Sequence, residues 1–164
     1  MNKLTEQELN NLKENLKNVY PKSKVEYLGY NRFIVSTKIQ EEIEGRVVFL
    51  DKYLLFDCDL NEIQSARNYD SVYTCTLGII IVSKNSKLNF TEDNSSSQTK
   101  KFGLIDINGK EILPCEYDRA IPKLDGLVDL SREGIEFFVP IGEITEGDFD
   151  WEDYKDYYKN RKSN

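Results

Sequence analysis

The sequence predicts a mainly β fold of the α+β class, with antiparallel β-hairpin or meander repeats, an N-terminal helix and a short acidic C-terminal helix. Runs rich in β-branched and aromatic residues recur between glycine-containing turns. The N-terminal residues instead show helical spacing, and the C-terminal residues combine acids with aromatics. The 164 residues fit one domain. We expect a capping helix over residues 1–21, β repeats over 24–144 and an acidic-aromatic tail over 145–164.

The N-terminal helix is predicted over roughly Glu6 to Asn18. Thr5 and Glu8 have the spacing of a capping box, in which each side chain accepts a hydrogen bond from the other residue's backbone N–H. Pro21 ends the helix. One apolar stripe follows helical spacing and consists of Leu9, Leu12, Leu16 and Val19. We expect this stripe to pack on the sheet; the alternative is a free helix that binds a partner.

The central region is predicted to consist of short strands. Their sequences are KVEYLGY, RFIVSTK, GRVVFL, YLLFD, GIIIVS, FGLIDI and IEFFVP. Asn108-Gly109 follows FGLIDI, and both residue types tolerate the positive φ of a type I′ hairpin turn. Residues 84–100 are polar, so a mobile loop is expected there.

Two stretches within this region align with each other, which indicates an internal duplication. The offset between them is 49 residues at first, and 48 residues after a single-residue gap. The aligned positions are Tyr53 with Phe102, Asp57 with Asp106, Glu62-Ile63 with Glu111-Ile112, Tyr69-Asp70 with Tyr117-Asp118, and Gly78 with Gly126. One unit alone is too small to bury its apolar face, so we expect the units to stack.

The second copy resembles the WG β-repeat family. It contains the family's ordered features, which are Phe102-Gly103, Leu104-Ile105-Asp106, Asn108-Gly109-Lys110-Glu111-Ile112, Pro114, Tyr117-Asp118 and Gly126. Phe102 stands where the family has tryptophan, and the first copy has Leu54 in place of the glycine. The resemblance is clear over about residues 100–134 and degenerate over 27–144. It implies a surface for interaction or ligand binding, without a shared catalytic set.

The residues favoured in catalysis are scarce. The chain has no histidine, which removes the usual base near neutral pH and the commonest metal ligand. Cys58, Cys75 and Cys115 lie far apart in the sequence, so we expect buried reduced thiols. Pairs of carboxylates can bind metals, but Asp57 and Asp106 occupy equivalent positions next to turns, where a carboxylate accepts backbone N–H groups. We therefore predict no enzyme activity, no cofactor and no metal.

The tail offers the first candidate binding surface. Trp151, Tyr154 and Tyr158 fall on one face of a possible helix that Asp150 caps. Their stripe either packs on the sheet or, with the surrounding acids, docks on a basic partner; the two interpretations are compatible. The candidate partner-binding residues are Asp148, Asp150, Trp151, Glu152, Asp153, Tyr154, Asp156 and Tyr158.

The second candidate surface is a groove between repeats. It would be lined by Tyr53, Tyr69, Phe102 and Tyr117, although the equivalence of Tyr69 and Tyr117 also suggests core packing.

Charge indicates the class of partner. The net charge of −7 opposes direct binding to nucleic acid, but it can steer the chain towards a basic protein, such as one that handles nucleic acid. The leading hypothesis is a non-catalytic inhibitor or immunity-type factor, and the alternative is a ligand- or peptide-sensing module of a larger system. An enzyme is disfavoured by the missing histidine. Without an apolar segment of membrane length or a secretion signal, we expect a cytoplasmic location and no membrane partner. The sequence does not indicate the oligomeric state.

Overall fold

Three antiparallel meanders form the body of the computed structural model, which describes residues 3–86, 89–90 and 96–162. Each has three main strands, and a fourth strand is added to the edge of the second. One helix precedes the meanders, and helices follow them at the C-terminal end. The predicted fold class, mainly β with a helix near each terminus, is confirmed. None of the helices in the described part of the chain is both long and apolar enough to span a bilayer.

The first meander follows helix α1 (Glu6–Val19) and consists of strands β1 (Lys24–Gly29), β2 (Arg32–Ile43) and β3 (Arg46–Asp57). The runs GRVVFL and YLLFD belong to the single strand β3, because no glycine or proline interrupts the chain between them. A 3-10 helix (Gln64–Asn68) then leads to the second meander.

The second sheet and the segment that interrupts it contain six strands. In chain order they are β4 (Ser71–Thr76), β5 (Ile79–Asn85), β6 (Asn89–Phe90), β7 (Ser96–Ser97), β8 (Lys100–Asp106) and β9 (Glu111–Tyr117). Strand β5 pairs with β4 and β8, β9 pairs with the other edge of β8, and β6 pairs with β7. The predicted mobile loop, residues 84–100, thus includes the ends of β5 and β8. Its residues 87–88 and 91–95 lie outside the described part of the chain.

The third meander and the tail complete the chain. Their elements are β10 (Arg119–Pro122), β11 (Leu127–Arg132), β12 (Ile135–Pro140), α2 (Ile141–Thr145) and α3 (Trp151–Lys162). Asp150 accepts the backbone N–H of Glu152 at 2.9 Å, so the prediction of a C-terminal helix capped by Asp150 is confirmed.

Helix α1 packs on the first meander, as predicted. The capping box is present, with the Thr5 hydroxyl accepting the Glu8 N–H at 3.1 Å. Leu16 is buried against strands β2 and β3. The assignment of Val19 to the buried stripe is wrong, since 68% of this residue is exposed. The ring of Tyr20, one residue past the helix, packs there instead against Phe56 at 5.9 Å.

Side chains alternate along each strand, so one strand contributes residues to two different cores. The meanders stack on one another through these shared cores. Phe33 packs with Leu16 of α1, whereas its neighbour Ile34 packs with residues of the second meander. In β5, Ile80 packs towards the first meander and Ile79 towards the third. The first two meanders are therefore covered on both faces, and α1 covers the outer face of the first.

The internal duplication is visible in the hydrogen bonds. Asp57 accepts the backbone N–H groups of residues 59 and 61 at 2.9 and 3.0 Å. Asp106 accepts those of residues 108 and 110 at 2.8 and 2.9 Å. The two aspartates thus make the same turn 49 residues apart, and their predicted role as turn-capping carboxylates is confirmed.

The strand register repeats as well. Ser71 pairs with Ser83 in the second meander, and Arg119 pairs with Ser131 in the third, a shift of 48 residues in both strands. The backbone N–H of the aspartate in each Tyr-Asp pair donates to the carbonyl oxygen of the corresponding serine, at 2.9 Å in the second meander and 2.8 Å in the third. The two Tyr-Asp pairs therefore occupy equivalent places.

The copies differ between the turn and the Tyr-Asp pair, where the second copy forms β9 and the first forms the 3-10 helix. A Cβ on Gly103 would lie 2.5 Å from the carbonyl oxygen of Leu113, so β9 crosses β8 at a point that only glycine allows. The first copy has the buried side chain of Leu54 at this position, which excludes the same crossing.

The predicted type I′ turn at Asn108-Gly109 is wrong. The Gly109 N–H donates to the Asp106 carbonyl oxygen at 3.0 Å, so the central residues are Ile107 and Asn108. Only Gly109 in this turn has a positive φ, of 84°. The Asp106 carboxylate, which accepts two N–H groups of the loop, favours this longer turn. Glu44-Gly45, by contrast, has both residues at positive φ, as a type I′ turn requires.

Candidate functional site

Helix α3 is held to the third meander by its first residue. The Trp151 side chain is 6% exposed and stacks on the ring of Phe137 at 5.6 Å between centroids. The Tyr117 ring meets it edge-on at 6.4 Å. Its indole Nε1 donates to the Glu133 carboxylate at 3.2 Å. Trp151 therefore packs in the core and is not available to a partner, which corrects its assignment as a docking residue.

A network of charges reinforces this attachment. The Arg132 guanidinium lies 5.2 Å from the Tyr117 ring and 5.1 Å from the Trp151 ring, so it is in cation–π range of both. It also pairs with Glu116 at 3.0 Å. Lys155 of α3 pairs with Glu133 at 3.3 Å, and the hydrogen bond from this lysine lowers the pKa of Glu133. Contacts of three kinds thus fix the first turns of the helix.

The tyrosines of the predicted stripe are half-buried. The Tyr154 hydroxyl donates to Glu143 at 3.1 Å, and its ring stacks on Phe137 at 5.2 Å. Burial and the hydrogen bond to Glu143 raise the pKa of Tyr154. Tyr158 packs on the margin of the same core. The aromatic stripe therefore pins the helix to the sheet, and the acids of the helix lie on its exposed side.

The acidic residues of the tail form a surface that faces solvent. All five acidic residues among the candidate partner-binding residues are exposed, namely Asp148, Asp150, Glu152, Asp153 and Asp156. None of them belongs to an ion pair among the described residues. Three of them, Asp148, Asp150 and Asp153, border a cleft of about 610 Å³ between β9 and α3, with Glu116 on its other side. We refer to these five residues and Glu116 as the acidic surface.

The four aromatic residues of the second candidate surface do not share one groove. Tyr117 is 2% exposed beneath the tail. Phe102 packs against Tyr73 at 5.6 Å and lines a separate apolar groove of about 530 Å³. Of the four, only Tyr53 and Tyr69 line the same cleft, which has a volume of about 440 Å³. The prediction of a common groove is wrong because Tyr53 and Tyr69 pack with one core, whereas Phe102 and Tyr117, which oppose each other across β8 and β9, pack with another.

The cleft at Tyr53 and Tyr69 lies between the outer part of the β2–β3 ribbon and the second meander. Tyr69 is almost buried and donates to Glu111 at 3.2 Å, and burial raises the pKa of its hydroxyl. The Lys84 ammonium lies 5.3 Å from the Tyr69 ring. Charged residues of both signs line the walls, namely Glu41, Asp51, Lys52, Arg67, Asp70 and Lys100. The cleft therefore suits a small polar ligand or a peptide better than a purely apolar one.

Sequence reasoning missed the β2–β3 ribbon, which projects beyond β1 and carries exposed apolar residues. Phe49 is 71% exposed and Val47 is 57% exposed. Phe49 lies opposite Gln40 and Val47 lies opposite Glu42 across the ribbon. A strand buried on that face would not place two polar residues there, so these polar residues were the signal that this face is exposed.

The cysteines are free thiols, as predicted, but each is only half-buried. Burial raises the pKa of Cys115 to about 11, and burial also raises that of Cys75. Both are therefore protonated near neutral pH and are poor nucleophiles. Within residues 3–86, 89–90 and 96–162, no group of three or more cysteine and acidic residues is placed to bind a metal ion.

Comparison with known proteins gives no match to a protein-family model, to a curated protein or to a solved structure. The functional assignment therefore depends on the geometry of the two clefts and of the surfaces around them.

Proposed function

We propose that this chain is a non-catalytic protein-binding module, an inhibitor or immunity-type factor that docks through its acidic surface on a larger basic protein. The observation that carries the proposal is the cleft of about 610 Å³ between β9 and α3, with the exposed carboxylates of Asp148, Asp150 and Asp153 along the tail and with Glu116, paired with Arg132, on the other side. Such a cleft suits the entry of an arginine or lysine side chain, which can pair with several carboxylates at once.

The rigidity of α3 strengthens this proposal. Trp151 and Tyr154 are held by ring contacts and hydrogen bonds, so the helix does not have to be ordered when a partner binds. A pre-organised surface loses less conformational entropy on association. The acids of the helix are consequently presented in a fixed pattern.

Charge defines the proposed partner. The net charge of −7, with exposed acids concentrated at one end, favours encounter with a positively charged groove, such as the nucleic-acid-binding surface of an enzyme. The same charge opposes direct contact with nucleic acid, which binds through lysine and arginine. The proposed compartment is the cytoplasm, because a reducing environment keeps the three free cysteines as thiols.

The second candidate function is a ligand- or peptide-sensing module of a larger system, built on WG-like repeats. The observation in its favour is the cleft of about 440 Å³ at Tyr53 and Tyr69, which lies between the β2–β3 ribbon and the second meander. Tyr53→Ala discriminates between the two functions, because it alters this cleft and leaves the acidic surface unchanged.

Charge reversal tests the leading proposal. In one variant, Glu152, Asp153 and Asp156 are replaced by lysine, while Asp150 is kept because it caps α3. The immobilised wild-type chain is used to capture its partner from an extract of the source cells, and binding of the purified partner is then measured at increasing salt. We expect the association rate of the variant to fall about tenfold and to lose its salt dependence.

A matched control carries the same change of charge elsewhere. Glu14, Glu44 and Asp59 are also exposed and are replaced by lysine in the control. The control is expected to bind almost as the wild type does. Equal binding by all three proteins at every salt concentration would contradict the acidic-surface proposal.

A further inference from the structure

The outer half of the β2–β3 ribbon exposes a strand edge. Strand β1 pairs with β2 only as far as Ser36, so residues 37–43 of β2 have no neighbour on their outer side among the described strands. The β3 edge, in contrast, faces the cleft at Tyr53 and Tyr69. An open edge presents unpaired backbone N–H and C=O groups, which another strand can pair with.

Natural sheet edges are protected by several devices, and this edge has one of them, the charged side chains of Lys38, Glu41 and Glu42. Residues 38–42 are all exposed, and the ribbon contains no proline and no bulge in its twelve consecutive residue pairs. Ile39 lies on this edge strand, and Val47 and Phe49 are exposed on the neighbouring strand β3; Ile39 and Phe49 also line the cleft at Tyr53 and Tyr69. An open edge of this kind can pair with a further strand whose charges complement its own.

The sequence of the edge indicates that this partner is a second copy of the chain. In a dimer with a two-fold axis perpendicular to the sheet, side chains that lie opposite each other must share a face. Side chains alternate along a strand, so the numbers of two opposed residues must have an even sum. When the axis passes through Gln40, Lys38 of each copy lies opposite Glu42 of the other. This register forms two equivalent ion pairs, and neither residue belongs to an ion pair within its own chain among the described residues.

Neighbouring registers are less complementary within strand β2, which ends at Ile43. An axis at Glu41 would oppose the two Glu41 carboxylates, and an axis at Ile39 would oppose Lys38 to the uncharged Gln40. On the β3 edge, an axis at Phe49 would oppose Arg46 to Lys52, which have the same charge. We propose that two copies of this chain associate through antiparallel pairing of their β2 edges, with Lys38 opposite Glu42, into a continuous four-stranded sheet.

The test uses two single charge reversals, Lys38→Glu and Glu42→Lys, in the full chain. Sedimentation velocity is measured on the wild type over a series of concentrations up to about 100 µM, at which edge pairing with a Kd of micromolar order is populated. We expect a dimer for the wild type. Each substitution alone opposes like charges twice across the axis and should weaken self-association about tenfold.

The decisive sample is an equimolar mixture of the two variants. In the mixed dimer, the glutamates of the Lys38→Glu chain lie opposite the lysines of the Glu42→Lys chain, so association should return to the wild-type level. Glu14→Lys, on α1, serves as the control and should self-associate as the wild type does. A wild type that remains monomeric, or a mixture that associates no better than its components, would overturn the proposal.

Discussion

The hydroxyl group of Ser65 donates a hydrogen bond of 3.0 Å to the carbonyl oxygen of Gly109. This bond joins the connector after the first meander to the turn after the second. Gly109 has a φ of +84°, and a Cβ built on it would overlap the Ser65 oxygen and lie 2.7 Å from Ile63. The backbone conformation therefore favours glycine at this position, and an added Cβ would also displace the side chains of Ser65 and Ile63.

Substitution of Gly109 should accordingly destabilise the fold. We expect Gly109→Ala to lower the free energy of unfolding by about 2–4 kcal/mol, from backbone strain and overpacking together. The matched control is Gly45→Ala, where φ is also positive, +77°, but no atom lies within 4 Å of the added Cβ. Denaturant unfolding of both variants separates the two effects, and equal losses would show that the contact with Ser65 does not matter.

Gly103 is predicted to be essential for a different reason. Its φ is not in the left-handed region, but its Cβ would lie 2.5 Å from the Leu113 carbonyl oxygen and 2.8 Å from the Cys115 nitrogen. Because these are backbone atoms, they cannot rotate away. We expect Gly103→Ala to lower the free energy of unfolding by about 1–3 kcal/mol and to loosen β9 from β8. Amide hydrogen exchange should then accelerate in residues 111–117, and unchanged protection there would contradict the crossing.

Trp151 is predicted to act as a packing residue. We expect Trp151→Ala to lower the free energy of unfolding by about 3 kcal/mol or more, because it leaves a cavity and removes the indole hydrogen bond to Glu133. Tyr157→Ala on the same helix is the control, since Tyr157 is 63% exposed, and should cost much less. If thermal unfolding of the Trp151 variant matched that of the wild type, α3 would not be packed as described.

The thiol of Cys115 is predicted to lose its proton at a higher pH than an exposed thiol does. Burial raises its pKa from 9.0 to about 11, so the protonated form is favoured in the folded state. In a variant with Cys58→Ser and Cys75→Ser, alkylation of Cys115 should be slow near pH 8 and should rise with a midpoint near 11. A midpoint near 9 would show an exposed thiol.

The same shift makes stability depend on pH. Because the pKa in the folded state exceeds that in the unfolded state, the contribution of Cys115 is complete below pH 9 and is lost as the pH rises towards 11. We compare the variant that carries Cys58→Ser and Cys75→Ser with the same variant after Cys115→Ala is added. The difference between their unfolding free energies should therefore shrink over this range of pH. A constant difference would contradict the shift.

Local sequence signals determined the elements of this protein and their order. The capping box at Thr5 and Glu8, the cap at Asp150 and the turn-capping roles of Asp57 and Asp106 all depend on residues within four positions of one another. Such interactions need no information from the rest of the chain. The mainly β class and the internal duplication were accessible for the same reason, since periodicity and self-alignment are properties of the sequence.

The candidate surfaces depended on the tertiary structure. Trp151 and Asp150 are neighbours in the sequence, yet one is buried by Phe137 and the other is exposed beside the cleft. The sequence predicted the amphipathic helix but not whether its aromatic face would meet the sheet or a partner. The four tyrosine and phenylalanine residues of the supposed groove were likewise separated by the stacking of the meanders.

The sequence by itself thus determined a β-repeat chain with a helix at each end, an acidic tail and free thiols. Only the tertiary structure decided the length of the β2–β3 ribbon, the type of turn at Gly109 and which face of α3 remains exposed. The physical reason is the distance along the sequence over which each interaction acts. Helix caps and side-chain alternation involve residues that are close in the sequence. The burial of Trp151 and the contact of Gly109 with Ser65 join distant segments, which come together only when the meanders stack.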